Sequence, residues 1–325
     1  MQARRSALCS DRKQCRFTHV AVIGPGAIGC VFAVRLALAG GGPRVTLVDH
    51  CAGRAERLSA RPLVLHTPEG DLSARLPVRT ALDEPPDLVI LATKAYAARS
   101  AARTVAAWMG RAPILTIQNG LGARDEVAEA APASTVITGV IYQAANVVGE
   151  GEVHHVANQQ TLIGYPGRPP DDLARAVAAL LDAAGLPAGT EADMTPVVWG
   201  KLLINAALNP VAALAGVRNG EVASRPALWA LAEAIAEEGA AAARAEGVRL
   251  PYTSAVEATL ETARATAENR CSMLQDLEAG RRTEIDYLNG AIVRTAEAHG
   301  IAAPANRAAT MLVRQVSATE EEHHK

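Results

Sequence analysis

One apolar segment in the second half of the chain combines a lysine with two asparagines at helical spacing. Lys201, Asn205 and Asn209 are four residues apart, so a helix would place all three on one face. Lysine is costly to bury without partners, and asparagine is a poor residue for a helix interior. One ammonium and two amides on one face suit an oxygen-rich anionic substrate. The alternative is a solvated polar stripe on an amphipathic helix.

A glycine-rich sequence near the start of the chain has the spacing of a dinucleotide-binding loop. Gly24-Pro25-Gly26-Ala27-Ile28-Gly29 directly follows a predicted strand and opens a predicted helix. Gly24 would allow the tight turn, Gly26 would let the backbone approach a pyrophosphate, and Gly29 would let helix pack closely on strand. The helix N-terminus adds unpaired N–H groups and the positive end of a dipole. We therefore predict a pyrophosphate site here rather than a simple glycine turn.

An acidic residue ends the second predicted strand, where the adenosine ribose of a dinucleotide would lie. Asp49 comes about 20 residues after Gly29, and a carboxylate there favours NAD because it can accept both ribose hydroxyls. His50, Arg54 and Arg57 follow at once, and a basic side chain there could instead receive the 2′-phosphate of NADP. A third possibility is that Asp49 only caps the next helix. These residues leave NADH and NADPH open.

Two further polar motifs flank a glycine-arginine-arginine break near the end of the chain. The first runs from Ser272 to Asp276, and the second begins Thr283-Glu284-Ile285-Asp286. The second resembles a helix-starting box, which would put Glu284 in the first turn of a helix. Standing alone, both motifs are better explained as helix caps than as chemistry.

The elements that must position these residues alternate in the first half of the chain. Short β-branched runs alternate with Ala- and Leu-rich helical patterns between residues 19 and 189, which is typical of a doubly wound parallel sheet. Strands are predicted at 20–23, 45–48, 88–92 and 114–117, and helices at 27–39, 97–108 and 123–130. Residues 63–78 and 140–163 read as antiparallel hairpins that decorate the sheet edge.

The second half of the chain carries helical periodicity with little strand signal. The fold class predicted is therefore α/β, with an N-terminal Rossmann-type doubly wound parallel sheet followed by an all-α C-terminal domain. We expect four segments: a disordered extension at 1–17, a dinucleotide-binding domain at 18–190, a helical substrate and catalytic domain at 191–318, and a tail at 319–325.

The composition excludes several other classes of protein. Of the 325 residues, 49% are apolar and 20% are charged, and the net charge of −2 comes from interspersed signs, so a nucleic-acid partner is not expected. No apolar run reads as long enough to cross a membrane. The five cysteines are scattered and form no CxxC pair, so neither a disulfide framework nor a metal site is indicated. A reducing cytoplasm fits this pattern best.

Taken together, the motifs resemble those of the ketopantoate reductases (2-dehydropantoate 2-reductases), from about residue 18 to residue 316. The matching motifs are the glycine loop, Thr93-Lys94-Ala95, Gln118-Asn119-Gly120-Leu121-Gly122, the Lys201/Asn205/Asn209 face, Asn219-Gly220-Glu221, Ser272-Met273-Leu274-Gln275-Asp276 and Thr283-Glu284-Ile285-Asp286. Their order along the chain makes the resemblance highly specific.

The resemblance implies a role for each matching residue. Lys201 would be the proton donor, and Glu284 would assist it by orienting its ammonium. The residues expected to hold the substrate are Asn119, Asn205, Asn209, Asn219 and Ser272. The residues expected to bind the coenzyme are Gly24, Pro25, Gly26, Ala27, Ile28, Gly29, Asp49, His50, Lys94, Asn119, Ala145 and Glu284. No metal is required.

The reaction implied is reduction of 2-dehydropantoate to (R)-pantoate, a step towards coenzyme A, with NADPH as the coenzyme. Many members carry an arginine just after the second strand, where this chain has Asp49-His50, so NADH is also possible. One alternative is a reductase of another branched 2-keto acid with the same mechanism. Another is a non-catalytic dinucleotide-binding protein, which would have no use for a lysine in the cleft. We expect a small 2-keto acid as the ligand and a monomer or homodimer.

Overall fold

The computed structural model describes the backbone of residues 17–323 and the side chains of residues 17–317. The strands of this part of the chain are β1 His19–Ile23, β2 Arg44–Val48, β3 Leu63–Thr67, β4 Gly70–Ala74, β5 Val78–Arg79, β6 Leu88–Leu91, β7 Ile114–Thr116, β8 Val136–Gly149, β9 Glu152–Gly164 and β10 Ala188–Thr190. The helices are α1 Ala27–Leu38, α2 Ala52–Ser59, α3 Ala95–Ala106, α4 Ala123–Ala130, α5 Asp172–Ala183, α6 Met194–Ala215, α7 Asn219–Ser224, α8 Pro226–Ala245, α9 Ala255–Ala265, α10 Ser272–Glu278, α11 Asn289–Ala298 and α12 Pro304–His323.

All these strands belong to one sheet, whose order is β4-β3-β9-β8-β7-β6-β1-β2-β5, with β10 paired to β9. The central strands β2, β1, β6, β7 and β8 run parallel. Successive residues of β1 point to opposite faces: Val20 and Val22 join the core on one face, and Ala21 and Ile23 join the core on the other. Both faces are covered, as the continuous apolar strands predict. This confirms the doubly wound fold class.

The chain reverses its direction of travel across the sheet between β1 and β6. The connection after β1 leads outward to β2, whereas the connection after β6 leads the other way to β7. Ligands of open α/β sheets bind in the crevice that such a switch point leaves at the carboxyl ends of the strands. Gly24 and Thr93 lie at this crevice, since a Cβ placed on Gly24 would lie 3.1 Å from the Thr93 methyl carbon.

The two long hairpin strands differ from the expectation in one respect. The turn near Gly149 and the antiparallel pairing of β8 with β9 are as predicted. However, β8 also pairs in parallel with β7, and β9 pairs in parallel with β3, so the hairpin lies within the sheet rather than decorating its edge. The first half of β8 is wholly buried. It therefore continues the parallel core, which local turn residues alone could not indicate.

A separate apolar core holds the helices after β10 together. Its central element is α6, which begins after the Asp193 cap and ends at Gly216 in the left-handed conformation. Contrary to the sequence-based expectation, α6 is long and apolar enough to cross a membrane by composition. However, 72% of its most apolar window is buried inside the protein, as in the core helix of a helical bundle.

The described ends of the chain correct two predicted boundaries. Phe17, which we assigned to the extension, is 3% exposed and packs in the first core. The rest of that segment, residues 1–16, lies outside the described residues. Helix α12 runs to His323, so it continues into the segment expected to be a tail. The boundary expected at residue 190 falls between β10 and α6.

Candidate active site

The glycine loop connects β1 to α1 at the switch point of the sheet. Gly24 has a φ of 101°, which only glycine adopts at little cost. A Cβ on Gly29 would lie 1.9 Å from the Gly24 carbonyl oxygen, whereas a Cβ on Gly26 would meet nothing within 4 Å. Helix α1 has no side-chain cap and no acidic residue in its first turn. The bare backbone at Gly26 and the uncapped helix therefore fit a pyrophosphate.

Two alanine substitutions should separate the packing and binding roles of these glycines. Gly29→Ala forces a backbone clash, so the free energy of unfolding should fall by about 2 kcal/mol or more in urea titrations. Gly26→Ala is its matched control, because the added methyl group meets only open space. It should leave unfolding unchanged but weaken coenzyme binding by about tenfold in fluorescence titrations, by crowding a phosphate hydrogen bond. Equal effects on both properties in the two variants would contradict this division.

At the end of β2, the structure pairs Asp49 with Arg54. The Asp49 side chain is fully buried, and its oxygens accept hydrogen bonds from the Cys51 N–H at 3.1 Å, from Arg54 Nη2 at 2.6 Å and from Arg54 Nε. Burial raises the pKa of Asp49, but the bonds from Arg54 and Cys51 outweigh it and hold the pKa below its ordinary value. Arg54 therefore occupies the Asp49 carboxylate, which differs from the ribose-binding role that was one of the possibilities left open by the sequence. His50 beside it is 91% exposed.

Lys201 projects from α6 into the contact between the sheet and the helices. Its Nζ donates a hydrogen bond to the main-chain carbonyl of Ile141 on β8, and it lies 5.5 Å from the centre of the Tyr142 ring. Burial lowers the pKa of Lys201 to about 8, against the opposing influence of Glu284. A half-buried lysine with a lowered pKa is typical of a catalytic acid rather than of a solvated polar stripe. Ile141 and Tyr142 were not predicted as neighbours of this lysine.

The two asparagines that follow Lys201 on α6 are not equally buried. Asn205 is half-buried, and Asn209 is 8% exposed. The main-chain oxygen of Asn209 accepts a bond from the Cys271 thiol at 3.5 Å, which brings α6 against the start of α10. Ser272, the first residue of α10, is exposed. The structure thus places Ser272 next in sequence to the residue that contacts the Asn209 main chain.

Asn219, at the start of α7, is held from the loop between α9 and α10. Its Nδ2 donates to the Thr266 hydroxyl at 2.9 Å, and its main-chain N–H donates to the Asn269 carbonyl. Its Oδ1 is buried and has no hydrogen-bond partner among the described residues. A buried acceptor without a donor costs about 1–3 kcal/mol, so this oxygen suits a ligand hydroxyl.

Glu284 links the helical half of the chain to the sheet. Its carboxylate accepts the Ala95 N–H at 2.8 Å and Asn119 Nδ2 at 3.3 Å. Helix α3 has no side-chain cap of its own, so Glu284 caps it from the other half of the chain. The predicted helix start at Thr283 is wrong: residue 284 is a bend, residues 285–288 form turns, and α11 begins at Asn289. Glu284 makes no direct hydrogen bond to Lys201, contrary to the expected orienting role.

Lys94, the N-cap residue of α3, meets a partner that sequence reasoning missed. Its Nζ donates to Oδ2 of Asp276, a residue of α10 whose side chain is 4% exposed. The other Asp276 oxygen accepts Arg281 Nε at 3.1 Å. Burial lowers the pKa of Lys94, but Glu284 and Asp276 raise it more, and the net pKa lies above its ordinary value. Asp276 stood within a matched motif, and only its pairing with a lysine in the other half of the chain was hidden.

The loop after β7 contacts the turn before α11 beside these residues. We call this contact the joint between the sheet and the helices. A Cβ on Gly120 would lie 2.1 Å from the Tyr287 carbonyl oxygen, and that oxygen accepts the Leu121 N–H at 2.9 Å. A cavity of about 330 Å³ opens beside this joint, and its walls include Lys201, Asn119 and Thr138. The joint thus places Asn119 and Lys201 on one shared cavity.

Comparisons with known proteins identify the family of the chain. Two sequence profiles match the chain: "Ketopantoate reductase PanE/ApbA" over residues 20–168 and "Ketopantoate reductase PanE/ApbA C terminal" over residues 193–317. The chain belongs to the ketopantoate reductase family. The family consists of oxidoreductases that depend on a pyridine nucleotide. The resemblance inferred from the motifs is thereby confirmed.

Individual relatives match this ketopantoate reductase family member over nearly its whole length. A 2-dehydropantoate 2-reductase of Halobacterium salinarum is 37% identical, over 91% of this chain and 98% of its own. A 2-dehydropantoate 2-reductase of Archaeoglobus fulgidus is 34% identical, over 93% of this chain and 98% of its own. A crystal structure of a PanE/ApbA family ketopantoate reductase from Ralstonia eutropha JMP134 superposes with a TM-score of 0.85 at 31% identity, covering 93% of this chain and 99% of that one.

The same fold also serves a different dehydrogenase. A ternary structure of D-mandelate dehydrogenase with NADH and anilino(oxo)acetate superposes with a TM-score of 0.84, covering 93% of this chain and 99% of that one. Its identity of 23% shows a shared fold alone. Substrate and coenzyme must therefore be argued from the residues of this chain.

Proposed function

We propose that this chain is a 2-dehydropantoate 2-reductase that reduces the keto group of ketopantoate to give (R)-pantoate. The observation that carries the proposal is Lys201, a half-buried residue that lines a cavity together with Asn119 where the sheet meets the helices. The names of relatives that are 30% identical or more over most of the chain support this substrate.

The chemistry requires a hydride for the keto carbon and a proton for the keto oxygen. Reduced nicotinamide supplies the hydride when bound. As negative charge develops on the keto oxygen, the Lys201 ammonium stabilises it and donates the proton. The ammonium has three N–H groups, so one can stay bonded to the Ile141 carbonyl while another transfers its proton. Lys201 then becomes a neutral amine that solvent reprotonates. Its lowered pKa favours donation near neutral pH.

Polar groups on three helices would select the substrate. Asn205 and Asn209 on α6 and Ser272 on α10 can donate to carboxylate oxygens, and the unpartnered Oδ1 of Asn219 can accept the substrate hydroxyl. A site built to bond a hydroxyl rejects analogues without one by about 10⁴- to 10⁵-fold, far more than an apolar pocket rejects a missing methylene. These amides therefore favour ketopantoate over a 2-keto acid without the hydroxyl.

Residues around the switch point would hold the coenzyme. The glycine loop and the N-terminus of α1 would bind the pyrophosphate, and Lys94, Asn119, Ala145 and Glu284 would lie along the rest of the molecule. We propose NADPH rather than NADH, because the buried Asp49 holds Arg54 at the end of β2 with 37% of the Arg54 side chain exposed. Arg54 uses Nε and Nη2 on Asp49, which leaves Nη1 for a 2′-phosphate.

The Arg54→Gln variant should lose most of this preference. Removing a charge-assisted bond to the 2′-phosphate should raise the KM for NADPH by about 10- to 100-fold, while the KM for NADH changes little. Arg57→Gln is the matched control, because Arg57 lies on the same helix but is bound to Glu150 at 2.9 Å. Steady-state rates with both coenzymes measure the effect. A wild-type protein that prefers NADH would contradict the proposal.

The whole proposal is tested by following NADPH and NADH oxidation side by side with ketopantoate and a panel of other 2-keto acids. We expect the highest kcat/KM with NADPH and ketopantoate. The panel should include pyruvate, 2-ketoisovalerate, which lacks the hydroxyl, and phenylglyoxylate, which is aromatic. A higher kcat/KM with either of the last two would replace ketopantoate as the substrate without removing the mechanism.

A further inference from the structure

The ion pair between Lys94 and Asp276 connects the two halves of the chain at the coenzyme crevice. Lys94 lies three residues after the end of the switch-point strand β6 and is the N-cap residue of α3, whereas Asp276 lies on α10 in the helical half. Asp276 is the more deeply buried partner, with 4% of its side chain exposed against 34% for Lys94. The carboxylate is thus a fixed anchor, and the ammonium is the part that remains accessible to a ligand.

We propose that Asp276 is a positioning residue that holds the Lys94 ammonium towards the coenzyme from across the domain contact. This inference rests on the proposed function, because it assumes that Lys94 contacts the coenzyme. It assigns to α10 a part in coenzyme binding in addition to substrate binding through Ser272.

The surroundings of Asp276 fit an anchor rather than a simple surface salt bridge. Arg281 binds the second carboxylate oxygen at 3.1 Å from its own half of the chain, and the Arg281 N–H donates to the Asp276 carbonyl at 2.8 Å. These bonds hold Asp276 in place independently of Lys94. Glu284, the other nearby carboxylate, is occupied by the Ala95 N–H and by Asn119. Asp276 therefore provides the hydrogen bond that determines where the ammonium lies.

The physical consequence is preorganisation. A free lysine side chain has many rotamers, and fixing one of them when a ligand binds has an entropic cost that weakens binding. Asp276 fixes Lys94 beforehand, provided that the sheet and the helices are in contact. The coenzyme site is therefore complete only when both halves of the chain meet, which couples coenzyme affinity to the domain contact.

The test compares Asp276→Asn with Glu278→Gln, which neutralises another carboxylate of α10. Glu278 is exposed and pairs with Arg270 within the helical half. Asp276→Asn should weaken NADPH binding by about tenfold, within the usual range for coupled pairs, and change kcat at saturation by less than about threefold. In a Lys94→Met background it should have no further effect. Glu278→Gln should leave the NADPH Kd within about twofold of wild type.

A second readout follows the lysine itself. In protein labelled with ¹³Cε-lysine, the titration midpoint of Lys94 should fall in Asp276→Asn and stay unchanged in Glu278→Gln. Asp276→Glu keeps the charge and serves if the asparagine variant does not fold: its Lys94 midpoint should stay above the ordinary value. An unchanged or tighter NADPH Kd in Asp276→Asn, or an unchanged Lys94 midpoint, overturns the inference. A wild-type protein that neither binds NADPH nor reduces ketopantoate overturns the proposed function instead.

Discussion

Lys201→Gln is expected to lower kcat by about 10²- to 10⁴-fold, the usual contribution of a positioned general acid. Glutamine can still donate to the Ile141 carbonyl, so the resting contact survives while the transferable proton is lost. The NADPH Kd and the thermal midpoint should stay close to wild type. Stopped-flow measurement of NADPH oxidation under single-turnover conditions isolates the chemical step from product release.

The pH dependence provides an independent check on the same residue. Burial lowers the pKa of Lys201 to about 8, and the protonated form is the acid. The reduction rate should therefore be constant below pH about 8 and fall about tenfold per pH unit above it. The falling limb should vanish in Lys201→Gln. A limb that persists unchanged in the variant, or a kcat within tenfold of wild type, would remove Lys201 from the proton transfer.

The lysines can be observed directly, because only four of the 32 basic residues of this chain are lysines. Lys94 and Lys201 are the two that lie within the described residues, and both lie at the candidate site. A ¹³Cε-lysine spectrum should therefore contain few signals, and the one that disappears in Lys201→Gln is assigned by that loss. Its titration midpoint should be about 8, and that of Lys94 should lie above its ordinary value.

The same scarcity explains how much of the site could be predicted from the sequence. In a chain that otherwise uses arginine, a lysine in an apolar helix is a strong signal, and Lys201 was found from its spacing with Asn205 and Asn209. The glycine loop was equally local, because strand, turn and helix follow one another directly. Both motifs carry their structural context within about a dozen residues of sequence.

Most of the features that were missed depend on contacts between distant residues. Asp276 meets Lys94 across 182 residues, and Glu284 caps a helix that starts 189 residues earlier. Where a helix was expected from Thr283 the chain forms turns instead, and the Tyr287 carbonyl there accepts the Leu121 N–H from the loop after β7. Asp49 carried the local signal of a ribose ligand, yet its own neighbour Arg54 occupies it. Local sequence patterns identify the candidate residues but do not predict which partner each residue contacts in the fold.

Glu284→Gln should have the second largest effect on catalysis, measured as kcat/KM. Glu284 raises the pKa of both Lys94 and Lys201, and it accepts hydrogen bonds from the Ala95 N–H and from Asn119. Glutamine loses the charge and one acceptor, so kcat/KM should fall by about 10- to 100-fold, as expected for hydrogen bonds to a charged group. The falling limb of the pH profile should move below about 8, because the Lys201 pKa loses a raising influence.

Glu126→Gln provides the matched control. Glu126 also accepts a hydrogen bond across the same joint, from the Tyr287 hydroxyl at 3.1 Å, but it is not among the groups that shift the pKa of Lys94 or Lys201. It should lower the thermal midpoint as much as Glu284→Gln or less, and leave the pH limb in place. Glu284→Gln and Glu126→Gln could instead lower kcat/KM equally and leave the titration midpoints of Lys94 and Lys201 unchanged. Glu284 would then act only by holding the two halves of the chain together. A shift of the pH limb that occurs only in Glu284→Gln shows that the charge of Glu284 raises the pKa of Lys201.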